Sequence, residues 1–188
     1  MEKQKPKLIL ITGGARSGKS SFAESLAQKM GENIIYIATA QALDKEMRER
    51  IAEHRKRRPK NWQTVEETVQ VDKVIKKVGT QTEVIIIDCM ALLISNLISD
   101  FNEKSSKDIF ASKVQEKIEH IMEASLKCQA TVIIVTNEVG SGLVPINPTG
   151  RFYRDILGQA NQSIARNADL VYLLVAGIPL LIKGNKDE

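Results

Sequence analysis

Short apolar runs alternate with segments of helical spacing along most of the chain. Continuous aliphatic runs of four to eight residues are typical of parallel strands that are buried on both faces. They predict strands at residues 8–12, 33–39, 62–66, 83–89, 130–137 and 170–176, followed by an edge strand at 180–183. The run at 83–89 is strongly apolar at residues 84–87 and ends in an acidic residue and a cysteine.

Apolar residues three or four positions apart indicate helices between these strands. The predicted helices cover residues 19–30, 70–78, 90–100, 108–127 and 150–167. A further helix carries Leu43, Met47 and Ile51 and must end before Pro59. Residues 140–150 are rich in Gly and Pro and predict a binding loop or lid. The alternation predicts an α/β fold with a mostly parallel sheet, helices on both faces and an antiparallel edge strand. Functional residues should lie at the carboxyl ends of its strands.

Length and composition limit the number of domains and the kinds of partner that the chain can have. The chain has 188 residues, of which 43% are hydrophobic and 27% are charged, as in an ordinary globular protein. We expect a single domain over residues 1–188, with a basic and flexible lead at 1–7 and a tail at 184–188. The 27 Lys and Arg against 23 Asp and Glu favour anionic partners, among which phosphates, nucleic acid and acidic metabolites all stay open.

The cysteines and the amino terminus bear on location. Cys89 and Cys128 lie far apart and belong to no C-x-x-C pair, so neither a disulfide framework nor a zinc site is indicated. The apolar run after the basic start is too short for a signal peptide or a membrane span. We therefore expect a cytoplasmic protein without a membrane span.

Residues 13–20, GGARSGKS, match the phosphate-binding pattern G-x-x-x-x-G-K-S between a predicted strand and a predicted helix. The glycines let backbone N–H groups turn toward a phosphate, and the amino end of the helix adds positive field. Lys19 would contact the β- and γ-phosphates, and the Ser20 hydroxyl would bind Mg²⁺. The predicted nucleotide-binding residues here are Gly13, Gly14, Ala15, Arg16, Ser17, Gly18, Lys19 and Ser20. We expect a RecA-like P-loop NTPase fold that binds ATP or GTP with Mg²⁺; phosphate binding alone does not select kinase, ATPase or switch.

Asp88 follows the apolar residues 84–87 at a predicted strand end. A carboxylate at this position of a P-loop protein holds Mg²⁺ directly or through water. It is costly there unless it meets a cation. The alternative is a helix N-cap aspartate without a metal role.

His54 lies in the basic stretch RIAEHRKRRPK, residues 50–60. On a helix, Arg50, Arg57 and Arg58 share or border its face. Positive neighbours favour the neutral imidazole, whose lone pair a nucleophile needs, and they would attract a triphosphate. The alternative is a solvated basic helix end, which the helix macrodipole favours. Residue types alone leave both interpretations open.

Several stretches in order resemble the bifunctional adenosylcobinamide kinase and adenosylcobinamide-phosphate guanylyltransferase family of cobalamin synthesis. They are LITGGARSGKSSFAE, YIATAQALDKEM, RIAEHRKRRPKNWQTVE, IIIDCMALLISNL, VTNEVGSGLVP and RFYRDILGQANQ. The resemblance runs from about residue 8 to 183 and implies two reactions. ATP or GTP phosphorylates the aminopropanol hydroxyl of adenosylcobinamide, and GMP from GTP is then joined to that phosphate with loss of pyrophosphate. The resemblance also implies a homo-oligomer, as a trimer.

In this family the guanylyl group passes through a histidine within R-I-x-x-H-x-x-x-R-P, and His54 fills that position. The resemblance implies further GTP contacts by Ala38, Thr39, Ala40, Arg55, Lys56, Arg57, Arg58, Glu66 and Asp88. The Glu66 carboxylate could accept from guanine N1–H and the exocyclic amine, a pairing that adenine cannot make. The alternative for Glu66 is an exposed strand acid.

Several residues keep open roles. Glu138 could orient metal, water or substrate, and Arg151 and Arg154 could bind a phosphate or pair with Asp155. His120 shares the spacing of apolar residues in its helix and is interpreted as structural. Two other functions stay open: a single-function small-molecule kinase in which His54 is incidental, and a nucleic-acid-stimulated ATPase. The 4% aromatic content argues against the second, and we expect no nucleic-acid partner.

Overall fold

The structure is a computed structural model that describes residues 5–42, 44–99, 101, 104 and 106–184, with only the backbone of Arg50 and Arg57. Its strands are β1 (Leu8–Gly13), β2 (Ile34–Ala38), β3 (Gln63–Glu66), β4 (Val84–Asp88), β5 (Thr131–Val135), β6 (Leu170–Val175) and β7 (Ile178–Lys183). They form a 7-stranded sheet in the order β3-β2-β4-β5-β1-β6-β7. All neighbours pair in parallel except β7, which pairs antiparallel with β6 at the edge. The predicted α/β sheet with an antiparallel edge strand is confirmed.

The helices follow the predicted order with small differences at their ends. They are α1 (Lys19–Met30), α2 (Lys45–Arg57), α3 (Val71–Val78), α4 (Met90–Leu97), α5 (Lys107–Lys127) and α6 (Pro148–Asn167). Helix α6 begins at Pro148 rather than at residue 150, because the Asn147 side chain accepts from the Gly150 N–H at 2.6 Å and caps the helix. Helix α4 ends at Leu97, before the predicted residue 100. The predicted helical position of Leu43 lies outside the described residues.

The interior strands are covered on both faces. The four successive side chains of residues 84–87 in β4 are buried, and successive strand residues point to opposite faces. Both faces of β4 therefore lie under helices or loops, as its continuous apolar run predicts. His120 departs from its prediction, because it is exposed on α5 and does not join the buried face of that helix.

Residues 5–7 are held in place by hydrogen bonds, which corrects the expectation of a flexible lead for this part of it. The Lys5 ammonium donates to the Met30 carbonyl at 3.2 Å, and the Lys7 backbone N–H donates to Asp169 Oδ2 at 2.7 Å. Residues 1–4 and 185–188 lie outside the described part of the chain.

No helix in the described ranges is both long enough and apolar enough to span a membrane.

The sheet order fixes where the candidate residues lie. The phosphate loop follows β1, Asp88 ends β4 and Glu66 ends β3. Strands β1 and β3 are four positions apart in the sheet. With neighbouring strands about 4.8 Å apart, the phosphate loop and the end of β3 are separated by roughly 19 Å. Asp88 lies between them.

Candidate active site

The loop between β1 and α1 has a backbone that only glycine accommodates at two positions. Gly13 has φ +150, and a Cβ there would lie 2.5 Å from the Leu174 carbonyl oxygen. Gly18 has φ +92, and a Cβ would lie 3.3 Å from Gly177 Cα. The Gly177 N–H also donates to the Ser17 carbonyl at 3.0 Å, so the β6–β7 turn packs directly on the phosphate loop. The GGARSGKS pattern therefore forms a loop with its shape imposed by β6 and β7.

Lys19 and Ser17 give this loop its chemistry. Lys19 is buried at the start of α1, and its ammonium donates to the Gly14 carbonyl at 2.6 Å across the loop. The Ser17 hydroxyl is enclosed and has no hydrogen-bond partner in the structure. An enclosed hydroxyl without a partner is unusual and points to a missing ligand group. A phosphate held by the loop N–H groups would supply an acceptor next to both side chains.

Asp88 ends β4, an interior strand that β5 separates from β1 and the phosphate loop. Burial and then the Asp88 charge raise the pKa of the Cys89 thiol to about 12, while the Lys19 charge acts in the opposite direction. The thiol is therefore protonated at neutral pH and is a poor nucleophile. Asp88 Oδ2 accepts from the Tyr36 hydroxyl, which leaves Oδ1 for a cation.

The two predicted metal ligands have chemistry that fits Mg²⁺. The Asp88 carboxylate and the Ser20 hydroxyl are oxygen ligands of the kind that Mg²⁺ prefers. Within the described part of the chain, no group of three or more His, Cys, Asp and Glu side chains could hold a metal ion. Mg²⁺ bound by two side chains and completed by phosphates and water is the usual arrangement in nucleotide sites. Asp88 and Ser20 therefore suit a metal that arrives with the nucleotide.

Thr39 is occupied by contacts within the fold. It is fully buried, its hydroxyl donates to the Cys89 carbonyl at 2.7 Å, and the Cys89 N–H donates back to it at 2.8 Å. Its own carbonyl accepts from the Asn96 side chain at 2.9 Å. Ala38 and Ala40 on either side are half-buried. These contacts favour a structural role for the Thr39 side chain, and nucleotide contacts by residues 38–40 stay a prediction.

A basic cavity lies at the β3 edge of the sheet. It has a volume of about 520 Å³, and its lining is formed by Arg55, Arg58, Pro59, Lys60, Trp62, Thr64 and Glu66. Arg55 forms an ion pair with Glu66, and Arg58 Nη1 donates to the Thr64 hydroxyl at 3.4 Å. The structure thus brings Arg55, Arg58 and Glu66 of the predicted set together. We call this the basic cavity.

Tyr36 connects the basic cavity with Asp88. The Arg58 guanidinium lies over the Tyr36 ring, 3.4 Å from its centroid, and the Tyr36 hydroxyl donates to Asp88. Burial, followed by the charge of Asp88, raises the pKa of Tyr36, so its hydroxyl stays a donor. Sequence reasoning missed Tyr36 as a functional candidate. The available signal was a phenol in an otherwise aliphatic strand that ends two residues later.

His54 is half-buried on α2, one residue before Arg55. Lys56 is exposed, and the Arg50 and Arg57 side chains lie outside the described residues. His54 precedes Arg55, a lining residue of the basic cavity, in the chain, while β2, β4 and β5 lie between β3 and the β1 strand that leads to the phosphate loop. His54 and Lys19 therefore lie on separate elements, α2 and the start of α1.

Glu138, Arg151 and Arg154 form a third group. The Glu138 carboxylate accepts from the N–H groups of Gly140 at 2.7 Å and Ser141 at 3.1 Å. Burial alone would raise the pKa of Glu138, but these N–H groups and the Arg154 charge lower it, so the side chain stays ionised. Arg151 donates to the Pro145 carbonyl at 3.1 Å and Arg154 to the Gly140 carbonyl at 2.6 Å. Both arginines fix the 140–147 loop rather than pair with Asp155.

Comparison with known proteins extends over nearly the whole chain. The family model for cobinamide kinase / cobinamide phosphate guanyltransferase matches residues 9–182. The bifunctional adenosylcobalamin biosynthesis protein CobU of Escherichia coli strain K12 is 40% identical over 181 residues, covering 94% of this chain and 99% of that protein. The bifunctional adenosylcobalamin biosynthesis protein CobP of Pseudomonas aeruginosa is 38% identical over 175 residues, covering 93% of this chain and 96% of that protein.

A solved structure supports the fold independently. The crystal structure of the RadB recombinase matches with a TM-score of 0.54 at 12% identity, covering 97% of this chain and 84% of that chain. At this identity the likeness shows the fold alone. It confirms the predicted RecA-like P-loop architecture.

Proposed function

The chain belongs to the cobinamide kinase / cobinamide phosphate guanyltransferase family, and from this premise we propose a two-step enzyme in which Lys19 serves the first step and His54 the second. The first step phosphorylates the hydroxyl of adenosylcobinamide with ATP or GTP. The second transfers GMP from GTP to that phosphate. One observation supports the proposal: the phosphate loop follows β1 in the same sheet whose β3 edge has a basic cavity lined by Arg55 and Arg58, the residues one and four positions after His54.

In the kinase step, the loop N–H groups and Lys19 would hold the β- and γ-phosphates. The hydroxyl oxygen of the acceptor attacks the γ-phosphorus, the bond to the bridging oxygen breaks, and the hydroxyl proton leaves to solvent or a nearby base. Ser20 and Asp88 would hold Mg²⁺, which neutralises charge on the phosphate oxygens. The Tyr36 hydroxyl supports this role, because its hydrogen bond fixes one Asp88 oxygen and directs the other outward.

In the guanylyl step, a neutral His54 nitrogen attacks the α-phosphorus of GTP, a P–N bond forms, and pyrophosphate leaves. A phosphate oxygen of adenosylcobinamide phosphate then attacks the same phosphorus. The P–N bond breaks, and the histidine returns to its starting state. Arg55 and Arg58 lie near this histidine and would stabilise the negative charge that builds at the phosphorus.

Glu66 is proposed to recognise the guanine base. One of its oxygens is paired with Arg55, which fixes the orientation of the carboxylate. Its second oxygen can accept from guanine N1–H or the exocyclic amine at the mouth of the basic cavity. Contacts by Lys56 and Arg57 to the nucleotide stay predictions.

The sheet order sets one condition for the guanylyl step. His54 lies on the segment between β2 and β3, and the phosphate loop lies roughly 19 Å from the end of β3. Attack on a nucleotide that the loop still holds would require α2 to approach β1. Every described α2 side chain is exposed or half-buried, so such a shift would break few packing contacts and would cost little free energy.

We further propose a cytoplasmic homo-oligomer, a trimer by analogy with the family. Strand β7 is a sheet edge with Ile178, Leu180 and Ile182 exposed by 63%, 49% and 60%. An apolar edge strand of this kind favours pairing with another chain. Mass measurement in solution tests the oligomeric state directly.

The covalent step provides the sharpest test. The protein is incubated with GTP and Mg²⁺ in the absence of cobinamide, and its intact mass is measured. We expect a gain of one GMP that survives base and is lost in acid, as a phosphoramidate requires. A mass gain that survives acid would place GMP on another type of side chain, and no gain with GTP and Mg²⁺ would exclude the covalent intermediate.

A further inference from the structure

A second cavity lies beside the phosphate loop, at the carboxyl end of β5. It has a volume of about 380 Å³, and its polar lining includes Glu138, Arg154, Gln159, Asn161 and Gln162. The Glu138 backbone N–H donates to the Gly13 carbonyl at 3.0 Å, so one wall of this cavity is bonded to the first residue of the phosphate loop. We call it the amide cavity.

The amide cavity offers both acceptors and donors. Glu138 supplies a carboxylate. Arg154 donates a hydrogen bond from Nη2 to the Gly140 carbonyl at 2.6 Å, while its enclosed Nη1 has no hydrogen-bond partner in the structure. Gln159 and Gln162 are three residues apart on α6 and so share one face of the helix. Both are exposed.

This lining matches primary carboxamides. A primary carboxamide carries one oxygen acceptor and two N–H donors, and a glutamine side chain pairs with it in the same way. Glu138 can accept from an amide N–H, and the two glutamines can both donate and accept. Asn161 is already used within the fold, because it accepts from the Thr136 hydroxyl at 2.8 Å and donates to the Asn137 carbonyl at 2.9 Å.

Apolar side chains are exposed on the loop that follows Gly140, a lining residue of the amide cavity. Leu143 and Ile146 are each 97% exposed. Their loop is held by Arg151, which donates to the carbonyls of Pro145 and Ile146. The loop therefore presents apolar side chains to solvent although it is anchored to α6. Such exposure is typical of a surface that a ligand or partner covers.

A cobinamide is a large, partly apolar macrocycle whose edge carries primary carboxamide arms. The amide cavity lies at the small end of the range of about 300–1,000 Å³ for small-molecule sites, so it has room for arms and not for the ring. We propose that the amide cavity binds carboxamide arms of the corrinoid, with the ring against Leu143 and Ile146 and the hydroxyl arm directed toward the phosphate loop. This inference rests on the proposed function, because it assigns the acceptor side of the kinase step.

The test replaces both glutamines by methionine, which keeps the length of the side chain and helix propensity but removes the amide. The variant is Gln159→Met/Gln162→Met. Its matched control is Gln28→Met/Gln129→Met, two exposed glutamines outside the amide cavity. Cobinamide binding without nucleotide is measured by equilibrium dialysis, followed by the visible absorbance of the corrinoid. The KM values for cobinamide and GTP are measured in the kinase reaction.

We expect the Kd of cobinamide to rise by about 10-fold, since each lost hydrogen bond corresponds to roughly a 3- to 10-fold change. The KM for cobinamide should follow, while kcat and the KM for GTP stay within about two-fold of the wild type. The control should bind cobinamide normally. An unchanged Kd in the Gln159→Met/Gln162→Met variant would overturn the assignment, as would a parallel rise in the KM for GTP. A change in solution mass would overturn it too, because the surface would then be a subunit contact.

The failure of this inference is distinguishable from failure of the proposed function. If the wild-type protein phosphorylates cobinamide and the variant binds it equally well, only the amide cavity is excluded. If the wild-type protein neither binds nor phosphorylates cobinamide, the proposed function itself is wrong.

Discussion

The phosphate loop and α2 differ in how the fold holds them. The loop lies between β1 and α1, a helix that buries Lys19, Ala23 and Ala27, and the β6–β7 turn packs against it. Every described side chain of α2 is exposed or half-buried. The loop binds with backbone groups whose positions the core determines, while α2 contributes side chains on a helix with few packing constraints. The difference suggests that one region provides a fixed anion site and the other a movable nucleophile.

A short chain of contacts leads from the end of α2 to Asp88. Arg58 lies over the Tyr36 ring, and Tyr36 donates to Asp88. Asp88 ends β4, which β5 separates from β1 and the phosphate loop. A shift of α2 would therefore move Arg58 away from Tyr36 without disturbing the hydrogen bond that fixes Asp88. The kinase step should be insensitive to changes in α2 that abolish guanylyl transfer.

Among the proposed variants, His54→Asn should have the largest difference in effect on the two activities. Asparagine has no basic lone pair, so the variant should form no GMP adduct, and guanylyl transfer should fall by roughly 10⁵- to 10⁶-fold, to background. Kinase activity should stay within a few-fold of the wild type. Both activities and the acid-labile GMP label are measured on one preparation. Equal loss of the two reactions would mean that His54 supports the fold, and persistent labelling would show that another residue is the nucleophile.

Lys19→Ala should have the opposite effect: it should lower the kinase rate more than the rate of guanylyl transfer, and the loss should be smaller than for His54→Asn. In the proposed kinase step the ammonium would meet charge that builds on the transferred phosphoryl group, and removing one such donor typically costs roughly 10²- to 10³-fold in rate. Adenosylcobinamide phosphate supplied directly should still accept GMP more readily than adenosylcobinamide accepts phosphate. Initial rates with each acceptor check this. A near-normal kinase rate would exclude Lys19 from the phosphoryl site.

The phosphate loop was predictable because its chemistry depends on the local sequence. Glycines at fixed spacing, a preceding strand and a following helix define the backbone, and the structure shows Gly13 and Gly18 at positions where a Cβ would meet β6 or Gly177. The strand and helix order was predictable for a similar reason, since continuous apolar runs mark strands buried on both faces. Helix ends were less predictable because side-chain caps such as Asn147 determine them.

Contacts between segments that are distant in the sequence could not be predicted in the same way. The Tyr36 hydroxyl contacts Asp88 because β2 and β4 pair with Ala38 opposite Asp88. The spacing of residues in the sequence does not predict that register. Arg154 was expected to bind a phosphate or pair with Asp155; the structure shows it donating to the Gly140 carbonyl, and phosphate binding stays a prediction. The Arg55–Glu66 pair joins two predicted residues, but its existence depends on how α2 packs beside β3.

Glu66→Gln should produce a smaller, selective change. Glutamine would present an amide N–H to guanine N1–H and would also lose the charge that pairs with Arg55. We expect the preference for GTP over ATP in guanylyl transfer to fall by about 10-fold, as for loss of a hydrogen bond to a charged group. Glu53→Gln on α2 is the control, because it removes an exposed carboxylate from the same region. An equal ratio of GTP to ATP use in the wild type and the Glu66 variant would argue that base recognition lies elsewhere.

The smallest expected effect tests whether α2 opens independently of the sheet. Asp44 caps α2 by accepting from the Met47 N–H at 2.7 Å, and removing such a cap costs about 1 kcal/mol of helix stability. If α2 opens locally, Asp44→Ala should increase hydrogen exchange of the α2 amides by about five-fold and leave the free energy of global unfolding unchanged. Asn147→Ala removes the corresponding cap of α6, which packs against α4, α5 and β1, so it should lower global stability by about 1 kcal/mol. Exchange rates and urea unfolding are measured for both variants. Equal losses of global stability would show that α2 unfolds only together with the sheet, and the contrast between a fixed phosphate loop and a movable nucleophile would then be wrong.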